Sequence, residues 1–210
     1  MMAFHVAKRC FDLFFSTLGL IVLAPLFVLL ALCVKASDGG PVFFRQHRVG
    51  RHGKLFWIWK FRSMVIDAER KGLKVTRGND PRITPIGRWL RKMKLDELPQ
   101  LWNVWIGNMS FVGPRPEVPR YVDLYTAEQR QILNLRPGIT DLATLKFRNE
   151  EELLRQAEDV EAFYVEQCVP RKIELNLLYA QRANVWQDTW IILQTVLPFL
   201  RRRGSENPFE

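Results

Sequence analysis

From Leu13 to Val34 the chain runs 22 residues without a charged side chain, and Pro25 stands near the middle of that run. An uncharged apolar stretch of this length is a membrane candidate. Proline removes a helical hydrogen bond and clashes with the preceding turn, so a helix here breaks at Pro25. Lys8 and Arg9 precede the run, and Lys35, Arg45, Arg48 and Arg51 follow it. Positive residues favour the cytoplasmic side of a bilayer, and a single crossing would strand one of these flanks on the wrong side. A helix that enters, breaks and leaves through the same leaflet satisfies both flanks. Each half would hold about 12 residues, roughly 18 Å, too short for a hydrocarbon core of about 30 Å. The alternative is a single span kinked at the proline. A signal peptide fits less well, because the run exceeds an ordinary apolar core and no clear small-x-small cleavage signature follows it. Residues 1–36 therefore read as a re-entrant membrane helix and residues 37–210 as a cytosolic domain.

Charge narrows what such a chain can work on. Its 210 residues carry 31 Lys and Arg against 22 Asp and Glu, a net charge of +9. That excess calls for an anionic partner: nucleic acid, anionic lipid or a phosphorylated substrate. With 48% hydrophobic and 25% charged residues a core can form, which rules out disorder as the dominant state. A mean hydropathy of −0.11 excludes a polytopic membrane protein. Three cysteines cannot build a disulfide framework, so a reducing compartment is the simpler reading.

Beyond the turn signal Ser37-Asp38-Gly39-Gly40-Pro41, Val42–Arg45 and Leu55–Phe61 read as strands, with Gly50 and Gly53 in a hairpin loop. A short helix is expected over residues 65–72 and a polar loop over 76–81. Thr84-Pro85 reads as an N-cap and first helical residue. Ile86, Trp89, Leu90 and Met93 then share one face, and five cations lie between Arg82 and Lys94 with no acid among them. That pattern suits a helix lying in a membrane interface, although a basic surface helix packed on its own core has the same one. Thr126 and Gln129 form a capping box, with its helix running to about Leu135 and ending at Pro137-Gly138. The acid-rich stretch from Asn149 to Gln167 reads as a solvated helical face. Helices are expected over 171–182 and 188–200, the latter ending in Arg201-Arg202-Arg203, a tail suited to anionic headgroups or to solvent.

The chemistry centres on Lys94-Leu95-Asp96-Glu97-Leu98-Pro99, where Asp96 can cap a helix whose first turn holds Glu97 and Pro99. Val112-Gly113-Pro114-Arg115-Pro116-Glu117 follows, with an Arg fixed between two prolines. Little backbone entropy is lost when such a residue binds, and its planar fork suits bidentate phosphate recognition. Carboxylates repel phosphates, so an acid beside phosphate makes sense when a divalent cation bridges them or when the acid attacks phosphorus. Consecutive residues point in different directions, so Asp96 and Glu97 take unequal roles: one a nucleophile, the other a Mg²⁺ ligand.

Taken in order, Lys60-Phe61-Arg62-Ser63-Met64, Leu95 to Asn103, Val112 to Pro116 and Arg136-Pro137-Gly138-Ile139-Thr140 resemble the bacterial sugar transferase family, the monotopic phosphoglycosyl transferases. The resemblance covers nearly the whole chain, the Pro-broken helix included. It implies a small membrane-associated α/β domain, anchored by that helix and by amphipathic interfacial helices. It implies an enzyme that gives sugar-1-phosphate from a nucleotide-diphosphate sugar, usually a UDP-sugar, to polyprenyl phosphate and releases UMP, opening glycan assembly. By the same resemblance Asp96 is the nucleophile that forms a covalent phosphosugar intermediate. Glu97 binds and positions Mg²⁺, with Asp96 beside it as a further metal ligand. Arg115 binds phosphate, with Lys60 and Arg62 lining the same site. The implied location is the bacterial inner membrane, catalytic domain on the cytoplasmic face, with inner-leaflet anionic lipid as a contact and a homodimer left open.

Three positions depart from the family pattern. Ala24-Pro25 stands where many members have Ser-Pro, which predicts a less sharp break. Asp141 stands where many carry Gly, and Asn176 where an Asp is common. Asp188 matches a later family Asp, and capping of the last helix explains it equally well. Against the transferase stand a non-catalytic membrane scaffold, which has no use for Asp96, Glu97 and Arg115 together, and a basic nucleic-acid binder. The binder lacks any helix-turn-helix, zinc or RNA-recognition signature, so no nucleic-acid partner is expected.

Overall fold

The computed structural model describes residues 2–66, 68, 80–197 and 208. The helix and loop expected over 65–72 and 76–81 fall largely outside that set, and the Arg201–Arg203 tail wholly so. The chain opens with α1 (Met2–Val22) and α2 (Ala24–Asp38), which meet at Leu23 with a bend of 61°. Pro25 lies in the first turn of α2, where its missing N–H is one that helix geometry leaves unbonded anyway. The bend is pronounced even with alanine at position 24.

Both helices extend past the apolar run, so they hold 21 and 15 residues rather than the expected dozen each. The reason is visible in α1, one face of which packs against the domain. Asp12 and Ser16 on one side are sealed against the domain, 1% and 0% exposed, while Phe14 and Ile21 on the other are 64% and 68% exposed. Among the described residues no single helix is long and apolar enough to cross a membrane, but this bent pair passes the same test jointly.

Next, β1 (Phe43–Val49) and β2 (Leu55–Phe61) pair antiparallel from Phe43 opposite Phe61 to Val49 opposite Leu55. β1 outruns its expected end at Arg45 because alternate residues find partners: Phe44, Gln46 and Arg48 share the inward face with Phe56 and Ile58. Helix α3 (Pro85–Lys92) starts as expected, with Thr84 Oγ1 accepting from Gly87 N at 3.0 Å. Its apolar stripe is divided. Leu90 is fully buried against Leu30 and Val34 of α2 and Phe61 of β2, whereas Trp89 and Met93 stay exposed.

A 3₁₀ turn over Leu95–Glu97 leads into α4 (Gln100–Trp105), and β3 (Ser110–Val112) and α5 (Pro119–Val122) follow. The capping box forms, Thr126 N to Gln129 Oε1 at 3.0 Å and Gln129 N to Thr126 Oγ1 at 3.3 Å. It opens a 3₁₀ stretch over Gln129–Asn134 rather than an α-helix, and Gly138 begins a strand instead of merely stopping a helix. That strand, β4 (Gly138–Thr140), runs parallel to β3.

Then come α6 (Leu142–Lys146), α7 (Glu150–Gln156), α8 (Val160–Phe163), a π turn over Tyr164–Cys168, α9 (Val169–Arg182) and α10 (Val185–Val196). The acid-rich stretch is less solvated than expected: Leu154, Val160 and Tyr164 enter the largest core cluster with Tyr121, Phe147 and Ile173. Asn184, not Asp188, caps α10, accepting from Gln187 N. Asp188 is instead buried one turn further on, where Tyr179 donates its hydroxyl and Lys8 of α1 makes an ion pair. The fold is thus mixed helix and sheet, an α/β protein in which, among the described residues, two strand pairs lie among helices.

Candidate active site

Two loop crossings set the frame. Gly113 N donates to Thr140 O and Gly138 N to Pro114 O, both at 3.0 Å, stitching the two Gly-Pro motifs together. A Cβ on Gly113 would lie 2.2 Å from Arg136 O, and one on Gly138 would lie 2.1 Å from Gly113 N. Backbone meets backbone here, so only glycine fits at either position. Arg48 Nη1, reaching from the inward face of β1, holds Pro116 O at 3.0 Å. Pro114-Arg115-Pro116 is therefore fixed by neighbours on both sides as well as by its own rings.

The acids arrive from the other direction. α3 ends, Lys94 takes a left-handed conformation (φ 58°), and the chain turns into the 3₁₀ segment that carries Asp96 and Glu97. Asp96 lies inside this turn and caps no helix; α4 begins only at Gln100. Strand β2 delivers Lys60. Lys60 Nζ donates to Glu97 Oε1 at 2.8 Å, and Arg115 gives Nη2 to the same oxygen at 2.5 Å and Nη1 to Oε2 at 3.3 Å. Burial alone would raise the Glu97 carboxyl, but Arg115 and Lys60 outweigh it and hold the group well below the usual carboxylate range. Asp96 goes the other way: burial pushes its carboxyl above the ordinary value, and Lys60 offsets this only in part. Burial likewise lowers Lys60.

Asp96, Glu97, Lys60 and Arg115 therefore come together, and Arg62 does not join them. β2 ends at Phe61, and the Arg62 guanidinium turns to the C-terminal end of α2, where it grips both oxygens of Asp38 and donates Nε to Pro41 O at 2.6 Å. That fork brings Asp38 down to about 2. Arg62 thus ties the bent helix pair to the hairpin.

Among the described residues no group of three or more His, Cys, Asp or Glu side chains is placed to hold a metal. Mg²⁺ is commonly held by one or two carboxylates plus substrate phosphates, so Asp96 and Glu97 fit it once phosphates are present. With both Glu97 oxygens on Lys60 and Arg115, the fit depends on those two cations moving to a diphosphate.

Five side chains that buttress this frame were not singled out for a role at the site from sequence. Asp12 Oδ1 accepts from Ser110 Oγ at 3.0 Å and Phe111 N at 3.1 Å, pinning β3 to α1. Its only signal was an acid directly before the apolar run. Arg48 had the alternation of β1, and Glu117, which accepts from the Tyr164 hydroxyl, closes the Arg115 motif. Asp141 was visible as a departure, as was Asn176, and the two side chains are bonded to each other at 2.8 Å.

The family model described as bacterial sugar transferase matches residues 3–202. A Klebsiella pneumoniae UDP-glucose:undecaprenyl-phosphate glucose-1-phosphate transferase is 39% identical over 91% of this chain and 39% of its own length. An undecaprenyl-phosphate galactose phosphotransferase of Salmonella typhimurium is 36% identical over 94% of this chain and 41% of its own. The exopolysaccharide production protein ExoY of Sinorhizobium fredii is 34% identical, covering 95% of this chain and 88% of its own. The chain thus spans about two-fifths of the first relatives it matches, while nearly all of it aligns with each. With the match running from α1 to beyond α10, this chain belongs to the bacterial sugar transferase family.

Proposed function

We propose that this chain transfers sugar-1-phosphate from a UDP-sugar to polyprenyl phosphate, releasing UMP, through a phosphosugar ester on Asp96. The observation that carries this reading is the meeting of Asp96 and Glu97 with Lys60 and Arg115 on a fixed backbone frame. Two of the relatives named above are a glucose-1-phosphate transferase and a galactose phosphotransferase acting on undecaprenyl phosphate.

Lys60 and Arg115 leave Glu97 for the donor's diphosphate, which they bind and orient. A carboxylate oxygen of Asp96 attacks the phosphorus that bears the sugar, and the bond from that phosphorus to the bridging oxygen breaks, with UMP taking the electron pair. A phosphate oxygen of the polyprenyl carrier then attacks the same phosphorus, and the bond to Asp96 breaks, restoring the carboxylate. When bound, Mg²⁺ would neutralise charge on the transferring phosphoryl oxygens. Glu97, freed by the diphosphate, would hold it, with Asp96 adjacent.

The placement at a membrane supports the same reading, since one substrate is soluble and the other lipid-held. Phe14, Ile21, Val28 and Leu32 of the bent pair are exposed, as are the stacked Trp102 and Trp105 of α4 and Trp186 and Trp190 of α10. Apolar surface of this extent marks an interaction face, and tryptophan favours the headgroup level. We read the pair as re-entrant on the cytoplasmic leaflet, with basic residues beside anionic lipid. A panel of UDP-sugars assayed for UMP release with polyprenyl phosphate in detergent tests the reaction. Release with at least one sugar, abolished along with covalent labelling in Asp96→Asn, is expected; full activity in that variant refutes the nucleophile.

A further inference from the structure

Arg115 has a second tether. Asp141 and Asn176 are both buried, and Asp141 Oδ2 accepts from the backbone N–H of Arg115 at 3.1 Å and from Asn176 Nδ2 at 2.8 Å. Its Oδ1 accepts from Thr144 N at 2.5 Å, capping α6. The carboxylate thus faces three N–H donors, and an amide in its place would set donor against donor. Asn176 is oriented in turn, because its other amide hydrogen goes to Lys172 O, one turn back on α9, at 3.0 Å. A polar relay therefore runs from the α9 backbone through Asn176 and Asp141 to the peptide N–H of Arg115. Arg48 holds the carbonyl of the next residue, Pro116, so the backbone is tied at the peptide before Arg115 and again at the one after Pro116.

We propose that Asp141, oriented by Asn176, is the positioning residue that sets the backbone of Arg115 and with it the aim of the guanidinium at the donor diphosphate. Both flanking prolines have fixed φ, and the peptide between Pro114 and Arg115 is oriented from its two edges, its carbonyl by Gly138 N and its N–H by Asp141. The proposal rests on the transferase reading for the identity of the ligand, but its test needs only a diphosphate.

The test is a binding cycle on the full chain in detergent, with inorganic pyrophosphate as the calorimetric probe. Asp141→Ser keeps an oxygen to cap α6 but is too short to reach the Arg115 N–H. It weakens pyrophosphate binding about tenfold, the size expected for one buried donor left unpaired. Asn176→Ala leaves both acceptors in place but frees Asp141 on one side, giving a smaller loss in the same direction. In an Arg115→Ala background both losses vanish to within about twofold, because the aim of an absent guanidinium has no effect. Binding by Asp141→Ser equal to the parent, or losses that multiply in the double variants, would overturn the proposal. Should Asp141→Ser fail to fold, as read by its melting curve, the Asn176→Ala pair decides on the same criterion. A parent that binds pyrophosphate as described yet releases no UMP from any UDP-sugar counts against the transferase reading and leaves the positioning role standing.

Discussion

Glu97 occupies both cations that the proposed mechanism assigns to the donor, and on that mechanism removing its charge has an effect opposite to that of ordinary site damage. Lys60 and Arg115 each make a charge-assisted contact to Glu97, at 2.8 and 2.5 Å. Such hydrogen bonds contribute about 1.5–3 kcal/mol net where they are sheltered. The Lys60 pair is sheltered, with side chains 17% and 14% exposed, but Arg115 is 39% exposed and solvent screens its share to the low end. A diphosphate therefore displaces about 3 kcal/mol of internal pairing to reach the two cations. Glu97→Gln keeps the shape and one acceptor but loses the charge, relieving about half of that, or about 1.5 kcal/mol, a factor of roughly ten in affinity. Titration of pyrophosphate into the chelator-treated protein should show tighter binding in Glu97→Gln than in the parent. UMP release in the presence of magnesium should fall by about 100-fold or more in the same variant, because the carboxylate proposed to hold Mg²⁺ beside the transferring phosphoryl is gone. Equal or weaker metal-free binding, in a variant whose melting curve shows it folded, refutes the competition.

Three other outcomes are expected. Burial raises Asp96 above its ordinary 3.8, so the folded state takes up a proton more readily than the unfolded chain, and stability falls as pH rises through that window. Asp96→Asn should then melt a few degrees above the parent at neutral pH, with the gap closing below about pH 3.8; a lower melting point at pH 7 contradicts this. Gly113→Ala forces a methyl to within 2.2 Å of Arg136 O, and the resulting overpacking of about 1–3 kcal/mol should depress the melting temperature and lower transfer, while wild-type behaviour in both would mean the crossing is looser than described. Single cysteines introduced near residues 5 and 36 should label from the same side of sealed vesicles, and Pro25→Ala, by letting the helix straighten, should move one of them to the other side.

Elements fixed by their own neighbours were readable from sequence: the Leu55–Phe61 strand, the Thr84-Pro85 start of α3, the capping box at Thr126 and the break before Pro25. Asp96, Glu97, Lys60 and Arg115 were readable as motifs, and their meeting depends on contacts between separate parts of the chain. Arg62 shows the limit, since its destination was decided by Asp38, 24 residues earlier on the end of another helix. Asp188 looked like a cap because caps are local, whereas its partners are Tyr179 and Lys8, the latter 180 positions away. The length of α1 was misjudged for a related reason: Lys8, Arg9 and Asp12 were read only as flanks of the apolar run, and their contacts with distant parts of the chain carry the helix further.

That side of α1 also bears on how the protein can be handled. Lys8 reaches Asp188, Arg9 Nη1 and Nη2 hold Val104 O and Trp105 O at 2.7 and 2.8 Å, and Asp12 aligns the strand that leads into Arg115. Trimming the greasy start to ease handling would therefore remove a beam of the workbench, leaving Ser110 and Phe111 without the carboxylate that squares them. A foreign leader in its place would not restore the alignment.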